Sequence, residues 1–336
     1  MAIAKRSRWF VLSLMAFGLL CLATGSATAA EHIRIGVVRT ASPVFIAIDR
    51  HYWSAEGLDP ELVFFDSAPP IAVAVASGDL DFGITGLSGG LYNLGATLRI
   101  IAAGTREAPG FQLSAYLTAK GAYDKGLKSV RDFPGHSVAI TQFGAPVHYD
   151  LVLLMEKYRI DPKTIRIVPL PSNPAQIAAL TGGTVDAAIV PVSYALQALD
   201  RGDIKLLGYV GDETPWQNGA AFTSAKLADH RASTVEAFLR GYRKATRDYH
   251  DAFSGEDERR ADSATAPAVI ATLAKQLNQP PALVASSVQY VDAEARLDVD
   301  DVIRQIAWYH SQGLLKAEID PAQFIDKRYV RALPKP

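Results

Sequence analysis

The sequence predicts an α/β protein of two lobes joined by a hinge, with a ligand cleft between them. Three observations carry that prediction: an internal repeat, the strand–helix order within each copy, and a late strand able to return the chain to the first lobe. Pro69 to Ser88 read PPIAVAVASGDLDFGITGLS, and Pro174 to Ser193 read PAQIAALTGGTVDAAIVPVS. The two align without a gap at an offset of 105, pairing Gly78 with Gly183, Asp81 with Asp186, Ile84 with Ile189 and Ser88 with Ser193.

Each copy is built alike. A first strand (His32 to Val38; Ser137 to Gln142) leads into a loop of small residues and a proline, Arg39-Thr40-Ala41-Ser42-Pro43 or Phe143-Gly144-Ala145-Pro146. A helix follows, Val44 to Glu56 or Val147 to Tyr158, then a second strand at Glu61 to Phe65 or Thr164 to Val168. Pro69 and Pro174 open the next helices, where a missing N–H costs nothing. Ser77-Gly78-Asp79 and Gly182-Gly183-Thr184 end them, and buried strands run over Leu80 to Thr85 and Val185 to Val190. This order predicts right-handed parallel βαβ units. Ligands bind beyond the carboxyl ends of such strands, where helix N-termini present free N–H groups that suit an anion.

Further strands are expected at Leu98 to Ala103, Phe111 to Thr118 and Leu206 to Val210, and Gly219 to Thr223 can return the chain to the first lobe. The expected division is residues 1–30 as a leader, 31–117 as the first part of lobe one, 118–221 as lobe two, and 222–336 as a mostly helical return to lobe one. Two crossings make a hinge. Ser233, with Glu236, is expected to cap a helix to about Phe253. Helices are also expected near Ala266 to Leu277, Pro281 to Val288 and Val299 to Gln312. In the last, Val302, Ile303, Ile306 and Tyr309 or His310 share one face.

The amino terminus reads as an export signal. Lys5, Arg6 and Arg8 precede the apolar run Trp9 to Leu22, and Ala27-Thr28-Ala29 offers small residues for cleavage after Ala29 or Ala30. Cys21 follows Leu20, where a lipid-attachment motif needs a small residue, so a soluble periplasmic protein is favoured over a lipid anchor. Cys21 is the sole cysteine, so the exported chain has no disulfide and no thiol nucleophile or thiolate ligand. Without the leader, 31 basic residues face 35 acidic ones, which argues against nucleic acid. No other stretch is long and apolar enough to span a bilayer.

Several segments in this order resemble the substrate-binding proteins of ABC importers for sulfonates, nitrate and related molecules, a group sharing a fold branch with thiamine-pyrimidine-precursor binding proteins. They are the first strand and its loop, Glu56-Gly57-Leu58, Ala76 to Phe82, Gly104 to Glu107, Gly144 to Tyr149, Gly183 to Asp186, and Gln312-Gly313-Leu314-Leu315. The resemblance implies a type II periplasmic binding fold, no cofactor, and a membrane permease with a cytoplasmic ATPase as partners. A monomer suits delivery to a permease. Sulfonate binders often carry serines where this chain has Phe143-Gly144-Ala145-Pro146. That departure leaves room for a carboxylate or an aromatic ligand.

The candidate ligand-binding residues sit in loops beyond the strands. Arg39 offers a planar fork for a carboxylate or sulfonate, or a surface or domain-closing ion pair. Thr40 and Ser42 offer hydroxyls, or helix caps. Ser67, Thr85, Gly86 and Ser88 follow strands two and three. Arg106 beside Glu107 is a candidate, or half of a structural charge pair. In lobe two the candidates are Gln142, Phe143, Gly144 and Ala145; Asn173, otherwise a cap; Pro191 and Ser193; and Trp216, which either covers an aromatic ligand or shields the hinge. His148 is read as a packed or capping residue. Asp79, Asp81 and Asp186 look structural.

Two other classes compete with a transport binder. An enzyme on the same fold, such as a pyrimidine-precursor synthase, would rely on a cysteine-rich motif and histidine chemistry, and the exported chain has no cysteine. No G-x-S-x-G, H-E-x-x-H or P-loop is present. A ligand-sensing partner of a membrane receptor would need the same cleft.

Overall fold

A computed structural model describes residues 29–334, so the basic start and apolar run of the expected leader lie outside the described residues. The first unit comprises β1 (Glu31–Val38), α1 (Val44–Asp49), β2 (Leu58–Phe65), α2 (Ala68–Ser77), β3 (Phe82–Gly86), α3 (Gly89–Tyr92), β4 (Leu98–Ala103) and β5 (Thr105–Arg106). The second comprises β6 (Ser114–Ala119), α4 (Lys120–Asp124), β7 (Ser137–Ile140), α5 (Pro146–Tyr158), β8 (Arg166–Pro169), α6 (Asn173–Thr181), β9 (Ala187–Pro191), α7 (Val192–Leu199), β10 (Ile204–Tyr209) and α8 (Val210–Glu213). Then come β11 (Gly219–Ser224), α9 (Ala225–His230), α10 (Ala232–Phe253), α11 (Ala266–Leu277), α12 (Pro281–Ser286), β12 (Tyr290–Val291), α13 (Val299–Ser311) and α14 (Pro321–Phe324).

The strands form two five-stranded sheets ordered β2-β1-β3-β11-β4 and β10-β6-β9-β7-β8. Read from opposite edges, the orders are equivalent. β1 lies parallel to β2 and β3, as β7 does to β8 and β9. The fourth position of each sheet is antiparallel: β11 between β3 and β4, β6 between β9 and β10. The strand expected over 111–118 is therefore shorter and sits inside the second sheet. Each sheet receives its antiparallel strand from chain that has just left the other. The two crossings touch at a bridge between Glu107 and Trp216, with N···O distances of 3.0 and 3.2 Å.

The register explains the repeat. Gly36 pairs with Val63 and Gly83, and Ala139 pairs with Val168 and Ala188. The offset of 105 thus holds for the second and third strands. The first strands are offset by 103, because the second copy has two extra residues before its second strand. An aspartate locks the third strand to the first in both copies. The Asp81 carboxylate accepts from Arg34 N at 2.9 Å, and that of Asp186 accepts from Ser137 N at 2.8 Å and Ser137 Oγ at 2.7 Å. Their backbone N–H groups donate to the carbonyls of Arg34 and Ser137.

Three local expectations change. The helix from Val44 ends at Asp49, and the chain turns through His51 (φ 55°) into a short 3₁₀ turn over Ser54–Glu56. The break buries Trp53 completely against α10, where Nε1 donates to Phe238 O at 2.9 Å. Ser233 is not a cap, because α10 already starts at Ala232 and has no side-chain cap bond. Thr234 Oγ1 instead donates to Glu31, tying the helix start to β1. In α13, Val302, Ile306 and Tyr309 are buried, but Ile303 is 42 % exposed.

The first sheet is covered on both faces. α1, α10 and α11 bury Phe45, Phe238, Tyr242 and Leu273 on one, and α2, α3 and α13 bury Ile71, Leu91, Ile306 and Tyr309 on the other. The second sheet has its own core around Leu117, Ile140, Leu154 and Ile189. Between them Tyr149, Leu153 and Trp216 form a small apolar cluster against Trp308. Among the described residues, no helix is long and apolar enough to cross a membrane.

Candidate functional site

The carboxyl ends of the parallel strands in one sheet face those of the other. The loop after β3 meets the loop after β7: Gly89 N donates to Gly144 O at 3.1 Å, and a Cβ at Gly86 would lie 3.4 Å from Pro146 Cγ. Gly144 takes a left-handed conformation (φ 80°), which turns its carbonyl toward α3 and lets its N–H donate to His148 Nδ1 at 3.1 Å. That bond leaves the His148 proton on Nε2. Burial pushes the ring's pKa down to about 4, so His148 is neutral at pH 7.

The predicted residues around this seam divide by whether their polar groups are free. Arg39 is exposed, and its guanidinium lies 4.1 Å from the ring centroid of Phe64. Among the described residues it forms no salt bridge, so the cation stands open beyond β1. Thr40 is exposed beside it. Ser42 serves the helix, accepting from Val44 N at 3.4 Å. Ser67 is exposed at the start of α2 without a capping bond. Pro69 and Pro70 leave few N–H groups in that first turn. Thr85 is buried, its backbone paired with Ala220, and Ser88 Oγ accepts from Leu91 N at 3.3 Å.

In the second lobe Gln142 is exposed, Ala145 is buried, and Phe143 is 50 % exposed with its ring edge-on to His148 at 5.1 Å. Asn173 is the first residue of α6. The cap is its neighbour Ser172, which accepts from Ala175 N at 3.3 Å, and Asn173 Oδ1 is buried without a partner. Pro191 ends β9 and Ser193 lies half-buried in the first turn of α7.

Two predicted residues are engaged elsewhere. Arg106 does not pair with Glu107; its Nη2 lies 3.1 Å from Asp298 Oδ2, tying the first crossing to α13. Trp216 is fully buried and donates from Nε1 to Asp150 Oδ1 at 2.8 Å, so its ring has no face to offer a ligand. Gln217 holds the second crossing to α13 as well, its N–H donating to Asp301 Oδ2 at 2.8 Å. Sequence reading missed Asp150 and Gln217. The signal available for Asp150 was a carboxylate one turn into a helix otherwise patterned for burial.

A groove of about 740 Å³ opens beside the seam. Phe143, His148 and Met155 line it from the second lobe, and Trp308, Gln312 and Leu314 from the first. Glu156, Arg159 and Ser311 add charged and polar groups to its otherwise apolar walls. Among the described residues, no group of His, Cys, Asp or Glu is arranged to hold a metal.

Solved structures share this architecture. The periplasmic aliphatic sulphonate binding protein SsuA of Escherichia coli superposes with a TM-score of 0.70 at 19 % identity, covering 91 % of this chain and 95 % of its own. The periplasmic nitrate-binding protein NrtA of Synechocystis PCC 6803 gives 0.66 at 14 % identity, covering 90 % and 86 %. The desulfurization enzyme DSZB gives 0.63 at 13 % identity, covering 89 % and 97 %. At these identities the likeness shows the periplasmic binding protein fold alone. No curated protein matches the sequence significantly. The NMT1/THI5-like family profile matches residues 40–252, well over half of the sequence. With the two equivalent sheets and their facing strand ends, that match shows that the chain belongs to the NMT1/THI5-like family.

Proposed function

We propose that this protein is the exported solute-binding component of an ABC-type importer, capturing a small organic anion between its lobes and delivering it to a membrane permease with a cytoplasmic ATPase. The observation that carries this reading is the pair of equivalent sheets whose loops meet at Gly89 and Gly144, with the unpaired Arg39 beyond β1. Residues 31–117 and 222–336 act as one lobe and 118–221 as the other, with the two crossings as the hinge. Arg39 holds the anionic group. Exposed Phe143 and the hydroxyl-poor loop around it favour a carboxylate or an aromatic acid over a simple sulfonate. The basic, apolar and small-residue start directs the chain to the periplasm, where it works as a monomer.

A thermal-shift panel of nitrate, methanesulfonate, taurine, acetate and benzoate tests this. A ligand at a hundred times its Kd stabilises by about 2.7 kcal/mol, a rise in Tm of several degrees. Arg39→Ala is expected to weaken binding by roughly 2–5 kcal/mol, because a desolvated anion loses its partner. Arg39→Lys should recover part of it. Unchanged affinity in Arg39→Ala would remove Arg39 from the site, and turnover of any panel compound would replace the binder by an enzyme on the same fold.

A further inference from the structure

We infer that Glu107 and Asp150 form a proton-holding pair at the seam, so that lobe closure takes up protons and rising pH opens the cleft. The inference rests on the reading of the two crossings as a hinge. Glu107 lies on the first crossing, where its backbone pairs with Trp216 of the second. Asp150 lies on α5 of the second lobe. Both side chains are completely buried. Asp150 Oδ1 accepts from Trp216 Nε1, and among the described residues nothing apart from the neighbouring Ser114 offers a hydrogen bond to Asp150 Oδ2 or to either Glu107 oxygen. These three oxygens are shut off from bulk solvent.

Among the described residues no cation pairs with them. The charges acting on Glu107 are Asp150 from α5 and Asp212 from α8, and Asp212 is itself engaged with Gly110 N at 2.8 Å. Ser114 of β6 is the neutral neighbour of both carboxyls. From α13 comes Tyr309, whose buried hydroxyl is also unpartnered, and α5 adds Tyr149 and neutral His148. Arg106 is turned to Asp298 and Arg304 to Asp301. An unpaired carboxylate in such surroundings is far costlier than the neutral acid. Burial, and then the charge of Asp150, raises the Glu107 carboxyl well above its usual range; burial pushes Asp150 up to about 7.

The pair is sealed by parts that move relative to each other: both crossings, α5 of one lobe and Tyr309 of the other. Separating the lobes wets the carboxyls and returns them to ordinary values near about 4. Groups whose pKa is higher in the closed form favour closure at low pH. That contribution fades as pH rises through the closed-form values, from about 7 upward. Beyond that point the closed-to-open ratio falls up to about tenfold per pH unit for each proton held.

Spin labels on Val73→Cys of α2 and Tyr194→Cys of α7, both exposed, measure the interlobe distance without any ligand in the exported chain, which has no other cysteine. The expected result is a distance distribution that lengthens between pH 6 and pH 9 in otherwise unaltered protein and stays short in Glu107→Gln/Asp150→Asn. An infrared band of protonated carboxyl at pH 6, lost by pH 9, is expected in the unaltered protein, so the test survives if the double variant does not fold. A pH-independent distance, no protonated-carboxyl band, or equal opening of the double variant would overturn the inference. A protein that binds no panel anion yet opens with pH keeps this inference and loses the transport reading. One that binds an anion at a pH-independent lobe distance does the reverse.

Discussion

Replacing Gly144 by alanine tests whether the seam contact belongs to the closed state. Space is not the obstacle, since an added Cβ would lie 3.9 Å from Tyr309 Cε1 and 4.0 Å from Leu314 Cδ1. The obstacle is the backbone: φ is 80°, and the left-handed region costs a residue with a side chain about 1–2 kcal/mol. In the open form that the proposed hinge implies, nothing from the first lobe would hold this loop, so it would relax. Closure then either restores the left-handed turn or forgoes the Gly89–Gly144 hydrogen bond, worth about 0.5–1.5 kcal/mol. The smaller cost sets the loss, so affinity should fall about twofold to tenfold. Gly183→Ala is the control. Gly183 has φ 66° with nothing within 4 Å of a Cβ, and it lies in the turn before β9, away from the seam. It should lose about 1–2 kcal/mol of stability and no affinity. Gly144→Asn should recover part of the binding loss, because asparagine tolerates that region. Titration calorimetry with the tightest panel anion and urea unfolding read the two quantities. Equal affinity in Gly144→Ala and unaltered protein, or equal losses in Gly144→Ala and Gly183→Ala, would refute the reasoning.

Two further predictions concern the scaffold. A Cβ at Gly241 would lie 2.4 Å from Trp53 Cδ1, a buried ring that cannot move aside, whereas a Cβ at Gly121 in α4 meets nothing within 4 Å. Overpacking of about 1–3 kcal/mol outweighs the helix-propensity gain of about 1 kcal/mol at Gly241. Urea unfolding should therefore find Gly241→Ala less stable and Gly121→Ala slightly more stable; the same sign for both would be wrong. Glu56 bonds Lys244 and Arg240, which hold its carboxyl below the usual range despite partial burial. A depressed pKa stabilises the fold above the unfolded value near about 4.3 and ceases to do so as pH falls through the folded value. Glu56→Gln should cost about 1 kcal/mol at pH 7, given the exposed partners, and nothing at pH 3. A cost independent of pH would contradict it.

Much of the architecture was legible because it rests on local rules. Proline at a helix start, glycine at its end and an apolar run after it recur in both copies, and β4 and α11 fall at the expected residues. Asp81 and Asp186 read as structural from their turn–strand position, and both close the same clamp. The site was legible only in outline. Loops after strands are named by the strand order, so the sequence placed Arg39, Gly86 and Gly144 in loops beyond β1, β3 and β7. Whether a hydroxyl caps a helix or stays free is decided within one turn of backbone: Ser88 caps α3, Ser42 accepts from Val44 N one residue before the cap position, and Asn173 leaves the capping to Ser172.

What the sequence determined by itself was therefore the βαβ order, the internal repeat, and the loops that follow each strand, all set by periodicities and turn residues close along the chain. Only the tertiary structure decided that Arg106 turns to Asp298 while Glu107, its neighbour, meets Asp150 across 43 positions of chain. It also brought Gly89 to Gly144 and buried Trp216. Adjacent side chains on an extended strand point to opposite sides, and nothing in their own order says which far segment will meet each one. Long-range packing supplies that choice, and with it the charges left without partners.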